Sequence, residues 1–216
     1  MDRRPIGGET LVSAFIYIEG GAKGPYSKEV SIRCQKAFSK LLDKMGFEGR
    51  KPRLKACGGR QSVYDDFCIA HAADKADFVA MWIDSEDPVA DITATWSHLQ
   101  SVTTVPQWGK PLNAKDNQVL FMTTCMETWI LADRATLRSH YGSKLNENSL
   151  LSVVNLENRP RHEVQNAITQ ATRHCKNAFE KGEKSYAVFE KLNPEALRAL
   201  PSFVRVAKIL NDELKS

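Results

Sequence analysis

The chain has 216 residues, of which 42% are hydrophobic and 26% charged, enough for one well-buried core with a smaller helical appendage and too few for two full domains. This balance excludes a disordered or fibrous chain, and no stretch approaches the ~18 consecutive apolar residues of a membrane span. The net charge of +4 conceals a separation, since residues 23–60 carry eleven Lys or Arg against three acids and residues 61–91 carry eight acids against Lys75 alone.

A basic block beside an acidic one suits an anionic substrate held by cations and processed over a metal; the competing reading is a pair of solvated faces. Five scattered cysteines without a CxxC pair point to reduced thiols in a cytoplasm rather than a disulfide framework or zinc site. The start is basic, but the apolar run at residues 15–18 is short, β-branched and followed by Glu19, a poor signal peptide. The sequence thus predicts a soluble, cytoplasmic protein.

In chain order, residues 11–18 (LVSAFIYI) predict a first strand, which runs into Glu19, Gly20 and Gly21. Those glycines permit a sharp turn and close backbone approach. Ser27 is placed to cap a helix in which Val30, Cys34, Phe38, Leu41, Leu42 and Met45 recur at helical spacing, ended by Gly46. The opposite side of that helix carries Lys28, Arg33, Lys36, Lys40 and Lys44. Residues 53–57 predict a second strand, and Gly58-Gly59-Arg60 turns it into a helix with capping-box spacing at Ser62 and Asp65. Residues 78–83 are a continuous apolar run, the signature of a strand buried on both faces.

From 88 to 117 the pattern weakens around Trp96 and Trp108, and residues 118–122 (QVLFM) restore a strand. Residues 124–133 then predict a short helix with capping-box spacing at Thr124 and Glu127. A second helix follows at 134–141. Residues 143–216 predict a helical extension packed on the α/β part, residues 1–142, with helices at 163–179, 185–192 and 202–214 and a turn at Asn193-Pro194. Alternation of strands and helices makes the fold class α/β: a mainly parallel, Rossmann-like sheet flanked by helices.

The chemistry concentrates where strands end. In open α/β sheets ligands bind beyond the carboxyl ends of the strands. Glu19 follows the first strand, while Asp84, Glu86 and Asp87 follow the third. Crowded carboxylates repel one another unless a cation joins them, and Mg²⁺ is the usual partner of such hard oxygens. Asp84 and Glu86 alternate along an extended segment and share a side. Gly58-Gly59-Arg60 is a candidate phosphate cradle with Arg60 as clamp, or a plain tight turn. Lys23 and Lys184 are candidate phosphate-neutralising residues. Glu127 and Asp133 are read as helix caps before metal ligands, and His98, the histidine nearest the acidic loop, as structural.

IYIEG at 16–20 and IDSED at 83–87 resemble the TOPRIM pattern, a Glu-Gly after one strand joined by Asp-x-Asp after a later one. More narrowly, CGGRQ at 57–61, WIDSEDPV at 82–89, CMETWILADR at 125–134 and KGEKSY at 181–186 resemble a family of compact bacterial TOPRIM-like proteins. That family is of largely unknown function and is sometimes found beside an ATPase in anti-phage defence loci. The resemblance implies Mg²⁺-dependent (or Mn²⁺-dependent) phosphoryl transfer on DNA or RNA, as in topoisomerases, primases and overcoming-lysogenization-type nucleases. It makes Glu19 a general acid or base, or a second-metal ligand, and Asp84 with Glu86 the Mg²⁺ ligands. Glu86 stands where an aspartate is usual, which leaves Asp87 as a substitute ligand.

The expectation is a metal-dependent nuclease that works with an ATPase partner and away from membranes. A non-catalytic module that binds a nucleotide or that ATPase is the alternative. A phosphatase acting on small nucleotides is a third reading, and homo-oligomerisation is left open.

Overall fold

The computed structural model of the chain describes residues 12–21, 27–74, 76–102 and 108–215. Four strands, β1 (Ala14–Ile18), β2 (Arg53–Ala56), β3 (Phe78–Asp84) and β4 (Val119–Met122), form one sheet in the order β2-β1-β3-β4. All three pairings are parallel, with Ile18 opposite Trp82 and Asp84 opposite Met122. The helices are α1 (Ser27–Leu42), α2 (Arg60–Ala73), α3 (Thr95–Ser101), α4 (Met126–Ala132), α5 (Arg134–Tyr141), α6 (Arg161–Thr172), α7 (Glu183–Phe189), α8 (Pro194–Leu197) and α9 (Pro201–Glu213).

β3 lies inside the sheet and every one of its seven residues is buried, as its uninterrupted apolar run requires. Alternation of side chains along a strand divides its residues between two cores. Phe78, Ala80 and Trp82 face the same layer as Ile16, Ile18, Leu120 and Met122, covered by α1, α4, α7 and α9. Val79, Met81 and Ile83 face the other, covered by α2 and α3, with Trp96 and Trp108 as its large anchors. In the first layer Phe38 meets Trp82 edge-on at 4.9 Å and Phe189 at 4.6 Å, and Phe189 stacks on Trp129 at 6.3 Å. Residues from 143 onward therefore contribute Val164, Phe189, Phe203 and Leu210 to the core that the sheet itself buries.

The strands and most helices lie close to the stretches that the sequence predicts, and the differences have local causes. β1 begins at Ala14, and Leu11 lies outside the described residues. α1 runs into a widened turn, Asp43–Phe47, where Gly46 takes φ 86° as a helix-ending glycine does. α2 starts at Arg60 with Gly59 as its N-terminal flank, two residues before the expected Ser62, so the Ser62–Asp65 box does not form. α4 starts at Met126, not Thr124. Thr124 instead donates its hydroxyl to Arg159 O at 3.4 Å, and the second expected capping box is absent as well.

The basic side of α1 is only partly a solvated face. Lys40 pairs with Glu190 at 2.9 Å, Arg33 pairs with Glu183, and Lys44 donates to the carbonyls of Glu190 and Leu192 at 2.9 Å each. These cations tie α1 to α7 and the turn after it. Among the described residues, no helix is long and apolar enough to cross a membrane.

Candidate active site

Parallel pairing of β1 with β3 brings Glu19 and Asp84 to one edge. The Glu19 N–H donates to Trp82 O at 2.9 Å, continuing the ladder one residue past β1, and Glu19 Oε2 accepts the backbone N–H of Asp84 at 3.3 Å. Gly20 and Gly58 exchange backbone hydrogen bonds of 3.0 and 2.7 Å, which closes the ends of β1 and β2 against each other. Gly20 has φ 149°, and a Cβ there would collide with Tyr186 Oη and lie 2.8 Å from Cys34 Sγ. Tyr186 on α7 also accepts the Gly21 N–H at 3.0 Å. Glycine is required at Gly20 by space and conformation together.

Asp84, only 8% exposed, is held from three directions. Its Oδ1 accepts the Met126 N–H at 2.9 Å at the start of α4, and its Oδ2 accepts from Arg161 Nη2 at 3.3 Å. Its carbonyl accepts from Arg60 Nη1 at 2.7 Å. Burial first, and then the neighbouring negative charges of Glu19 and Glu127, push the Asp84 carboxyl well above the usual carboxylate range. Burial also raises Glu19, against the opposing pull of Arg60 and Arg161.

The loop after β3 is fixed residue by residue. Ser85 and Glu86 donate their N–H groups to Met122 O at 3.2 Å and Thr124 O at 3.0 Å, and the Ser85 hydroxyl donates to Asp87 O at 2.7 Å. His98 donates Nε2–H to Ser85 O at 2.9 Å, so this histidine braces the loop. Glu86 takes φ 71°, a conformation uncommon for a residue with a side chain. Its carboxylate meets Arg161 Nη1 in a close ion pair and lies 3.9 Å from Arg60 Nη1. The Asp87 carboxylate makes no ion pair or hydrogen bond among the described residues. Of the two acids competing to partner Asp84, Glu86 is the one that shares its cations.

Two arginines thus stand among three acids. Arg60 opens α2 and reaches Glu19 at 3.6 Å. Its guanidinium lies 4.5 Å from the Trp108 ring centroid, and Trp108 stacks on Tyr64 at 4.7 Å and donates Nε1–H to Gln61 at 3.1 Å. Arg161 opens α6. One turn on, Gln165 with its amide oxygen turned toward both cations would accept from Arg161 Nε at 3.0 Å and Lys181 Nζ at 2.7 Å. Glu127 is 2% exposed, and its Oε2 has no hydrogen-bond partner among the described residues.

Of the phosphate-binding candidates, Arg60 joins the acids, while Lys23 lies outside the described residues. Lys184 pairs with Glu180 at 2.8 Å on an exposed turn, and Lys181 adds its charge to Glu19 and Asp84 in its place. Glu127 is a buried neighbour of Asp84 rather than a helix cap. Asp133 is a cap, accepting from Thr136 N at 3.0 Å and Asn193 N at 2.8 Å. Sequence reasoning missed Arg161 and Lys181. The signal for Lys181 lay in KGEKSY, and Arg161 carried only its place just after Pro160 at a helix start.

Among the described residues, no group of three or more His, Cys, Asp or Glu side chains is placed to hold a metal ion. The donor chemistry nevertheless suits a hard cation. Only oxygens are offered, burial outweighs the single guanidinium on Asp84, and Glu127 Oε2 has no hydrogen-bond partner among the described residues. Mg²⁺ needs just one or two carboxylates, with water and substrate phosphate oxygens completing its shell.

Fold and edge together define a parallel α/β protein whose strand ends gather acids and arginines in one partly buried cluster. The family model described as Domain of unknown function (DUF4276) matches residues 16–210, and the chain belongs to that family. No curated protein and no solved structure matches it.

Proposed function

We propose that the chain is a TOPRIM-like, Mg²⁺-dependent nuclease that hydrolyses phosphodiesters of DNA or RNA. In this reading it is a cytoplasmic effector in bacterial anti-phage defence that works with an ATPase partner. The observation that carries the reading is the joining of Glu19 and Asp84 across neighbouring parallel strands, with Glu86 beside them and Arg60 and Arg161 among them.

Asp84 and Glu86 would hold the metal, which when bound polarises the scissile phosphate and lowers the pKa of water. Arg60, fixed on Trp108, orients the phosphate through its fork of donors. Lys181 adds positive charge on the α7 side. Glu19, whose carboxyl burial raises from its ordinary value, is suited to take a proton from an attacking water and release it later. The tight packing behind Gly20 keeps that carboxylate aimed at the edge.

The test is cleavage of single- and double-stranded DNA and RNA by the purified chain in MgCl₂ or MnCl₂, with and without an ATPase encoded nearby. Asp84→Asn and Glu19→Gln are each expected to lower the rate by about 10²-fold or more. No cleavage under any of these conditions would remove the nuclease reading. The absence, among the described residues, of a ready-made three-ligand group favours a second reading, a non-catalytic module that binds a nucleotide or the ATPase. Calorimetry of ATPase binding separates the two, because the module's affinity would survive Glu19→Gln.

A further inference from the structure

We infer that Arg161 is a displaceable counter-ion, a side-chain cation that occupies the acid cluster until a divalent metal takes its place. The inference rests on the proposed metal site and adds the device that controls its loading. Arg161 Nη2 lies 3.3 Å from Asp84 Oδ2 and Nη1 closes on Glu86 Oε2, so one guanidinium spans the two carboxylates proposed as metal ligands. A hard cation and this guanidinium therefore compete for the same oxygens.

The two arginines differ in how firmly they are held. The Arg60 side chain is 10% exposed, lies against Trp108 and is anchored on the Asp84 carbonyl, which a metal bound to the carboxylates leaves in place. The Arg161 side chain is 28% exposed and its remaining partner is the amide of Gln165. Arg161 is thus the cation free to turn away. Without it, Asp84, Glu86, Glu19 and Glu127 would face Arg60 and Lys181 alone, and the uncompensated burial of negative charge would be severe. A phosphodiester arriving with the metal offers the released guanidinium a new anion.

The device sets a threshold. Binding of metal and pairing of Arg161 oppose each other, and linkage makes that opposition reciprocal. Removing Arg161 should strengthen metal binding while weakening any step that needs its charge. A merely structural arginine would behave in the opposite way, because its loss would loosen the site and weaken the metal.

The experiment is calorimetric titration of the full chain with MnCl₂, comparing the native protein, Arg161→Gln and Asp84→Asn. The expected result is binding roughly tenfold tighter in Arg161→Gln and abolished in Asp84→Asn. Equal or weaker binding in Arg161→Gln, with Asp84→Asn still abolishing it, overturns the counter-ion role and leaves the metal site standing. No heat from the native protein or from Arg161→Gln removes the metal site, and the inference with it.

Should Arg161→Gln fail to fold, MgCl₂ titration of the native protein by NMR decides the matter. The Arg161 Nε–H resonance is expected to move with saturation while that of Arg60 holds. A stationary Arg161 resonance beside shifting Asp84 and Glu86 signals overturns the proposal.

Discussion

Glu19 Oε2 and the Asp84 backbone N–H are 3.3 Å apart, so the two acids that end β1 and β3 are joined through main chain and not merely brought near. The bond uses a donor that no further strand claims. It leaves the Asp84 carboxylate facing Met126 N and Arg161, with Glu127 behind. Repulsion between these acids is the price of assembling them.

Asp84→Asn should therefore stabilise the metal-free protein at neutral pH while lowering the proposed cleavage by about 10²-fold or more. Burial and the charges of Glu19 and Glu127 raise the Asp84 carboxyl, so its ionised form costs folding free energy once the pH exceeds the unfolded value of about 4. The amide keeps an acceptor for Met126 N without that cost. A higher unfolding free energy at pH 7.5 than in the native protein is expected by urea titration. A loss of stability would show that the Arg161 pair outweighs the burial.

Lys181 and Lys184 should part in their effects. The Lys184–Glu180 pair is exposed and four residues apart on the surface, worth little to stability. Lys184→Ala is expected to leave cleavage within about twofold. Lys181→Ala removes a charge that acts on both Glu19 and Asp84 and is expected to lower it about tenfold. Parallel rate measurements on the two variants check this, and equal rates would exclude Lys181 from the site.

Tyr186→Phe should loosen the Glu19 turn with little change to the core. Only the hydroxyl that accepts the Gly21 N–H at 3.0 Å is lost, for about 1 kcal/mol. Amide exchange at Gly21 is expected to quicken about fivefold, and kcat to fall more than KM rises. Unchanged exchange would show that the glycine turn holds itself.

These contrasts mark how far the sequence was legible. β3 announced itself through six consecutive apolar residues, 78–83, and the acids after it through the abrupt polar break. Parallel order followed from alternating elements, which put Glu19 beside Asp84. The cations were harder to read. Arg161 lies 77 residues from Asp84 in the chain, and nothing in local periodicity reports a contact that only the docking of α6 creates. Lys181 and Lys184 are three residues apart in one motif, and nothing in that motif tells which of the two charges acts on the acids. The expected caps at Ser62 and Thr124 failed because tertiary bonds fixed the helix starts elsewhere. On α1, Arg33 and Lys40 pair with Glu183 and Glu190, some 150 residues later.

Glu157 provides a pH signature away from the acid edge. Burial pushes its carboxyl up to about 7 although Ser202 N and the Ser202 hydroxyl both donate to it. A carboxyl whose folded pKa is raised favours the folded state below its unfolded value near 4.5 and loses that advantage as the pH climbs through 7. Unfolding free energy should thus decline between about pH 4.5 and 7.5 by up to about 3 kcal/mol. Glu157→Gln should flatten that decline, which urea titrations across the range would reveal. An unchanged slope would place the titration elsewhere.

Tyr186 and Arg161 reach the acids from the last third of the chain, whereas Glu19 and Asp84 lie in its first half. A ribosome delivers residues in order, and early segments fold before later ones exist. The growing chain therefore exposes its acids before it owns the arginine that answers them or the tyrosine that fixes their turn. On the proposed nuclease reading, competence would wait until α7, whose Tyr186 fixes the Glu19 turn, has emerged and docked, so the order of synthesis itself would restrain an unfinished chain from cutting the nucleic acid around it.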